Sequence, residues 1–449
     1  MFKKRAEKLG DLTGADCFIL ALSSMMRKNG QHELVGQTQL ILAGIPDLLA
    51  LEKTARDFGN DHPILDANVH RSPWTLLPAW WSNSLSEKIL SPIIWRETGL
   101  PNSPSRETKE IDSCQNLAEQ LLNNPLAFQG GLRNLRLDLF LGKDGASVLL
   151  FTWNHLLFDG KGAELLVERF IAAMQGRSRP LLPIKSDNPL SLQAKFRKSK
   201  PSVDRFFELV KNRYRSLAGV KPPKGLLRYK ILKYDREKTE TILRRAESFS
   251  GLFSISFFLA CAARAHRAAF LARGEDPSHY VSTVPVQLRR KGARQNPFQN
   301  QVTVLFFSMK KEDLETLETA VQAAQAQFEE MTRQDLGGSF EMVLGLMRRL
   351  PTNLYLKFLG AQFSGEITSF FHSATGSFLG GLEEFGGSRI LDAYHVPSVS
   401  APPGSGLFFG EFGGRITATF SWREGSVNEK EADAILQQVK CDLLESEDL

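Results

Sequence analysis

Residues 151–170, FTWNHLLFDGKGAELLVERF, place one histidine at the end of an aromatic and β-branched run. An aspartate and a glycine follow four and five residues later, ahead of an amphipathic segment. Histidine suits general-base work, because an unperturbed imidazole, with a pKa of about 6.5, is largely free base at neutral pH. Held at the C-terminal end of a strand, His155 is fixed by the sheet while one ring nitrogen can face a cleft. Asp159 lies across a turn from it, and with Gly160 relieving the backbone its carboxylate can point back under the sheet toward a cation. A structural ion pair follows from that placement more naturally than a second catalytic acid. Gly160 and Gly162 open a helix, but DGKGAELL lacks the spacing of a phosphate-binding loop, which excludes a nucleoside triphosphatase.

Positioning these residues requires a strand at 147–154, a tight connection, and a helix at 161–174. Apolar alternation predicts further strands at 34–43, 132–140, 280–288, 301–309, 366–372, 405–411 and 414–422. Helical periodicity predicts helices at 45–58, 112–123, 203–216, 236–249, 254–271, 311–333, 339–358 and 427–445. The class is mixed α/β. The stretch QGRSRPLLPIKSDNPLSLQAKFRKSKPS is rich in Pro, Ser and Lys and lacks sustained periodicity, which marks a boundary. The expected division is an N-terminal subdomain at 1–176, a linker at 177–202 and a C-terminal subdomain at 203–449.

The chain has 449 residues, 42% of them hydrophobic and 24% charged, more length than one core usually holds; two domains or a pseudo-duplicated pair are expected. Cys17, Cys114, Cys261 and Cys441 lie far apart and form no CxxC pair, which points to a reducing cytoplasm rather than a disulfide framework or zinc ribbon. Asp11 and Asp16 interrupt the basic start and short apolar stretch at the N-terminus, so no signal peptide is expected. No run of 18 apolar residues occurs, and no bilayer span is expected.

Charge is concentrated in one place. Between 195 and 224, Lys195, Arg197, Lys198, Lys200, Arg205, Lys211, Arg213, Arg215, Lys221 and Lys224 face only Asp204 and Glu208, so this segment outweighs the net +6 of the whole chain. An anionic partner fits such a patch, and a solvated linker fits it equally. Within it, Val203, Phe206, Phe207, Val210, Tyr214 and Leu217 recur at helical spacing. An interfacial helix and a core-packed helix both carry that pattern, and the core-packed reading is the simpler.

Other segments flank the histidine triplet in a telling order, HPILDANVHRSPWTLLPAWW (62–81) before it and STVPVQLRR (282–290), QNQVTVLFFSM (299–309), TSFFHSATG (368–376) and GRITATFSW (414–422) after it. With them the sequence resembles the HxxxDG acyltransferase superfamily over nearly its whole length. That group includes chloramphenicol acetyltransferase, the BAHD acyltransferases, the condensation domains of nonribosomal peptide synthetases, and wax ester synthase/diacylglycerol acyltransferases. The wax ester group and the polyketide-associated acyltransferases are the nearest in character.

The resemblance implies two chloramphenicol acetyltransferase-like subdomains, each a mixed β-sheet with flanking helices, with a tunnel between them. Donor would enter from one face and acceptor from the other. It implies His155 as the base that deprotonates an attacking hydroxyl or amine, Asp159 paired with Arg289, and no covalent enzyme intermediate. An oxyanion donor would come from Asn300, Ser373 or Thr375. No bound cofactor or metal is implied; a coenzyme A or phosphopantetheine thioester serves as co-substrate. The partners implied are that acyl thioester donor, a small-molecule or lipid acceptor, an acyl carrier protein, and a membrane surface met by residues 195–224, with no nucleic acid. His372, beside two phenylalanines, reads as a hydrogen-bonded structural residue.

Three departures bear on the subfamily. Asn154 stands where wax ester synthases and condensation domains carry a second histidine; Ile255 and Ser256 stand where the wax ester group has Asn-Asp; and PPGSGLFFGEFGG stands where BAHD enzymes have DFGWG. The leading expectation is a free-standing cytoplasmic acyltransferase, peripheral at the inner face of the membrane. A stand-alone condensation-type catalyst forming an amide is the second, and a non-catalytic binding member of the fold the third.

Overall fold

Apolar alternation builds two six-stranded sheets, and amphipathic helices cover them. The computed structural model describes residues 6–72, 74–82, 90, 92–96, 108–123, 127–128, 131–132, 134–142, 145–177, 190–212, 214–219, 223–251, 254–289, 296–355, 357 and 366–444. In chain order the first half holds β1 (Lys8–Asp11), α1 (Gly14–Lys28), β2 (Val35–Leu42), α2 (Leu48–Asp61), β3 (Asn68–Arg71), β4 (Pro78–Trp81), β5 (Ile93–Arg96), α3 (Thr108–Asn123), β6 (Ala127–Phe128), β7 (Gly131–Leu132), β8 (Leu135–Leu141), β9 (Ser147–Asn154) and α4 (Gly160–Met174). The second half holds α5 (Leu192–Lys211), β10 (Leu227–Lys233), α6 (Arg236–Ser250), α7 (Ser254–Ala272), β11 (His279–Gln287), β12 (Val302–Lys310), α8 (Leu317–Arg333), α9 (Leu336–Met347), β13 (Phe370–Ser377), β14 (Glu384–Phe385), β15 (Ser388–Pro397), β16 (Ser405–Phe412), β17 (Arg415–Arg423) and α10 (Glu429–Leu443).

The first large sheet runs β14-β15-β2-β9-β8-β5 and the second β10-β17-β16-β13-β11-β12. Both are mixed: β5 pairs parallel with β8, and β13 pairs parallel with β11 and β16, while the other pairs are antiparallel. β15 belongs to the second half of the chain yet pairs with β2 of the first sheet, Ala393 opposite Leu40. A division of the sequence at 177–202 therefore does not divide the sheets, because a strand from beyond it completes the N-terminal one.

One core joins the halves. Phe151, Phe158 and Phe170 from the first half share it with Phe298, Phe306 and Phe340 from the second. Burying each ring contributes about 1.5–3 kcal/mol. A separate core lies between the second sheet and α6, α7, α8 and α10; most of α7 is buried there, with Arg264 and Arg267 turned to Asp442 and Asp276.

The periodic helix expected at 203–216 instead spans Leu192–Lys211, taking in the end of the expected linker and enclosing Pro201; the linker residues 178–189 lie outside the described residues. Proline removes a helical donor, and here tertiary bonds compensate: Ser202 N donates to Ser339 Oγ at 3.0 Å and Ser202 Oγ to Leu336 O at 3.1 Å. Val203 and Phe206 pack into the shared core, whereas Leu192, Phe196, Phe207 and Val210 are exposed. Lys200 pairs with Asp204 and Arg205 with Glu208; Arg213 and Lys221 lie outside the described residues. The helix expected at 339–358 runs Leu336–Met347, and the strand expected at 366–372 runs Phe370–Ser377.

Candidate active site

The strand–turn–helix at the centre of the chain is made by its own side chains. β9 stops where Asn154 Oδ1 accepts the Leu156 amide at 3.0 Å and Asn154 O accepts the Leu157 amide at 2.9 Å, which turns the chain. The His155 amide still reaches Leu34 O, at 2.9 Å, so the histidine is the last residue tied to the sheet. Asp159 then caps α4, its Oδ1 accepting the Gly162 amide at 2.8 Å.

Asp159 and Arg289, 130 residues apart, form a buried ion pair. Arg289 Nη1 lies 2.6 Å from Oδ1 and 2.7 Å from Oδ2, with the two side chains 2% and 5% exposed. Oδ2 also accepts the Gln301 amide at 2.7 Å, and Arg289 Nη2 donates to Gln299 O at 3.1 Å. The carboxylate is thus saturated by donors and has no lone pair free for proton transfer. It ties the start of α4 to the end of β11 and to the segment entering β12.

The glycine that this packing demands is Gly162 rather than Gly160. A Cβ at Gly162 would stand 2.3 Å from Pro297 O and 2.6 Å from Phe158 Cβ, whereas one at Gly160 meets nothing within 4 Å. Gly160 sits at the first position of α4, outside the left-handed region, so the backbone relief expected of it is not used.

His155 is half-buried, between fully buried neighbours. Burial pushes its imidazole below the ordinary value; its own backbone carbonyl, Asp159, Asn300 and Asp16 act in the opposite direction. Among the described residues Nδ1 is buried without a hydrogen-bond partner, while Nε2 has no protein partner and is not fully buried. The result is a neutral imidazole at neutral pH.

The three oxyanion candidates separate. Asn300 Nδ2 donates to Asp16 Oδ1 at 2.9 Å and to His155 O at 3.0 Å, so its N–H groups are spent. Thr375 is exposed and donates to Phe409 O at 3.2 Å. Ser373 is half-buried and its hydroxyl makes no hydrogen bond among the described residues. It shares the face of β13 with Phe371, opposite Phe370 and Ala374, which pack in the core under α7. His372 is on that helix-covered face, bonded through Nδ1 to Leu407 O at 3.2 Å and pushed down by burial to about 3, as a structural histidine.

Sequence reasoning missed several residues around His155. Asp16 is fully buried; Thr13-x-x-Asp16 is a capping-box pattern and was the one local signal for it. Trp153 stands edge-on to His155. His395, on β15, bonds Thr38 Oγ1 at 3.0 Å and comes from a strand that no clear alternation announced. Two cavities are outlined: a void of about 10 Å³ between α5, β12 and α9, and a groove of about 370 Å³ beside Gln115, Lys230 and Asp433. Neither is lined by His155, and neither traces the tunnel that the resemblance implies.

No family model and no curated protein matches the sequence. Solved structures match its fold. The first condensation domain of the CDA synthetase is similar at a TM-score of 0.68 and 13% identity, over 97% of this chain and 95% of that one. The trichothecene 15-O-acetyltransferase from Fusarium sporotrichioides is similar at 0.67 and 13%, over 98% of each chain. Polyketide synthase associated protein 5 from Mycobacterium tuberculosis is similar at 0.59 and 16%, over 99% of this chain and 100% of that one. The chain has the two-lobed, mixed α/β fold of condensation domains and chloramphenicol acetyltransferase-like enzymes.

Proposed function

We propose that the protein is an acyltransferase that moves an acyl group from a coenzyme A or carrier-protein thioester onto a hydroxyl or amine of a lipid-like acceptor. The observation that carries this reading is the His155 imidazole, kept neutral by burial, open at Nε2, and mounted over the Asp159–Arg289 pair. Nε2 takes the acceptor proton as the oxygen or nitrogen bonds to the thioester carbonyl carbon. The tetrahedral intermediate collapses by breaking the C–S bond, and the imidazolium returns the proton to the departing thiolate. Such proton transfer supplies about 10² to 10⁴ in rate, and holding both substrates in line supplies the larger share. Of the three candidates we assign the oxyanion to Ser373, whose hydroxyl has no hydrogen bond among the described residues. Asp159 and Arg289 hold the turn and take no proton.

Amide formation from a carrier-bound acyl group is the second reading, favoured by the condensation domain among the similar structures. The cations and exposed apolar residues of α5 offer a docking place to coenzyme A phosphates, an acidic carrier protein or an anionic membrane surface. The test is incubation with acyl-coenzyme A or carrier-loaded thioester and a pool of hydroxyl, amine and lipid acceptors, followed by assay of released thiol and mass spectrometry of products. Wild type should release thiol with a matching acylated product, and His155→Ala should not. Full activity in a folded His155→Ala variant removes the proposed base; no turnover with any donor or acceptor favours a binding role.

A further inference from the structure

Asp16 in α1 and Asn300 before β12 meet directly beneath the His155 turn. Asp16 Oδ1 accepts the Asn300 amide at 2.8 Å and Asn300 Nδ2 at 2.9 Å, and its Oδ2 accepts the Thr13 amide at 2.8 Å. A carboxylate facing these groups only accepts, and so do the carbonyls of His155 and Leu156, 3.0 and 3.5 Å from Asn300 Nδ2. Three acceptors, Asp16 Oδ1 and the two carbonyls, therefore turn the nitrogen of the Asn300 side-chain amide toward Asp16 and the turn. Its oxygen is left over: Asn300 Oδ1 is buried and unpartnered, and so is His155 Nδ1. An unpaired buried acceptor and an unpaired buried donor in residues already in contact are each costly, and one bond between them removes both costs.

We infer that Asn300 is a positioning residue for His155: its Oδ1 accepts the Nδ1–H of the imidazole, with Asp16 holding the amide in the orientation that makes this possible. The bond selects the tautomer with a bare Nε2, the nitrogen that is open, and gives the imidazolium formed during transfer an acceptor backed by a carboxylate. The histidine's own carbonyl, then Asp159 and then the Asn300 side chain oppose the effect of burial on the imidazole, so the Asn300 contribution agrees in sign. The same amide is thereby removed from the oxyanion role. This inference rests on His155 as the general base for its catalytic meaning, though the pairing itself does not depend on turnover. The charged groups facing the ring are Asp16 from α1 and Asp159 from the turn, the latter paired with Arg289 at the end of β11; Glu33, ahead of β2, reaches Asn154 at 3.5 Å.

Nitrogen NMR of imidazole-labelled protein tests it. Wild-type His155 should be the Nδ1–H tautomer. In Asn300→Ala the Nε2–H form should gain population and the titration midpoint should fall, whereas Asn300→Asp should raise it; Asp16→Asn should weaken the tautomer preference. A merely structural role for Asn300 would not move the midpoint in opposite directions. In transfer assays, Asn300→Ala should lower kcat about tenfold to 100-fold with KM little changed, and shift the acid limb of the rate profile to lower pH. A wild-type Nε2–H tautomer overturns the inference whether or not any variant folds, and so does an unmoved tautomer and midpoint in folded Asn300→Ala. An Nδ1–H tautomer sensitive to Asn300, in a protein that turns over no thioester, keeps the pairing and ends the role of His155 as base.

Discussion

Trp153 stands edge-on to His155, with ring centroids 5.5 Å apart and planes at 63°. The indole is seated on Gly36, its partner across β2 and β9, where a Cβ would come within 2.3 Å of Trp153 Cζ2, and its Nε1 donates to Thr38 Oγ1 at 3.4 Å. A missing side chain on one strand thus fixes the wall against which the proposed base rests.

Gly36→Ala should push the indole off its seat, costing about 1–3 kcal/mol of stability through overpacking. Because the displaced ring leans on His155, kcat should fall on the order of 10²-fold with a smaller change in KM. Chemical denaturation and steady-state kinetics on the same preparation check both; a variant destabilised but fully active would detach Trp153 from catalysis.

Removing one member of the Asp159–Arg289 pair should cost about 3–5 kcal/mol, because the remaining charge is left buried without its partner. The losses of stability in Arg289→Met and Asp159→Asn should sum to more than the loss in the double variant, because each single leaves one buried group unpaired. A double-mutant cycle measures this coupling, and strict additivity would contradict a direct pair.

Ser373 and Thr375 should respond differently to loss of their hydroxyls. Ser373→Ala should reduce kcat by about 10²–10³ if its hydroxyl meets the oxyanion. Thr375→Val should leave kcat near wild type, since Thr375 Oγ1 is already committed to Phe409 O. Rate constants for the two variants under saturating donor decide between them.

Burial lowers His266 to about 4, and His372 and His395 to about 3. In the unfolded chain each titrates near 6.5, so between about pH 6.5 and 4 the unfolded state binds protons that the folded state refuses. Stability contributed by these neutral imidazoles is complete above about pH 6.5 and is lost as pH falls, by up to about 1.4 kcal/mol per unit for each. Asp16 and Glu164, raised by burial, act in the opposite sense in the acid range. The difference in urea midpoint between wild type and His266→Phe, followed from pH 8 to 4, isolates one imidazole and should shrink steadily with acidification.

The strand, turn and helix around His155 were legible because the periodicity switches from two to 3.6 within twenty residues, a purely local signal. β9 and β17 form within a residue of the predicted bounds for the same reason. β10 and β15 carry partly buried or polar positions on both faces, Tyr229 and Lys230 or Tyr394 and His395, so alternation did not separate them from loops. The helix through Pro201 ran against local propensity and exists because α9 packs against it.

At the site, residue type and spacing alone marked His155 as a base and Asp159 as an ion-pair member, since imidazole basicity and turn geometry are properties of a few adjacent residues. Arg289 came from resemblance to a family, and its contact with Asp159 spans 130 positions. That Gly162 rather than Gly160 must lack a side chain, that the N–H groups of Asn300 are consumed, and that Asp16 meets Asn300 at the His155 turn were decided only when α1, β9 and β12 came together. Each depends on which atoms stand within 3 Å after the chain has folded, and distances of that kind are set by the packing of distant elements, not by their order along the chain.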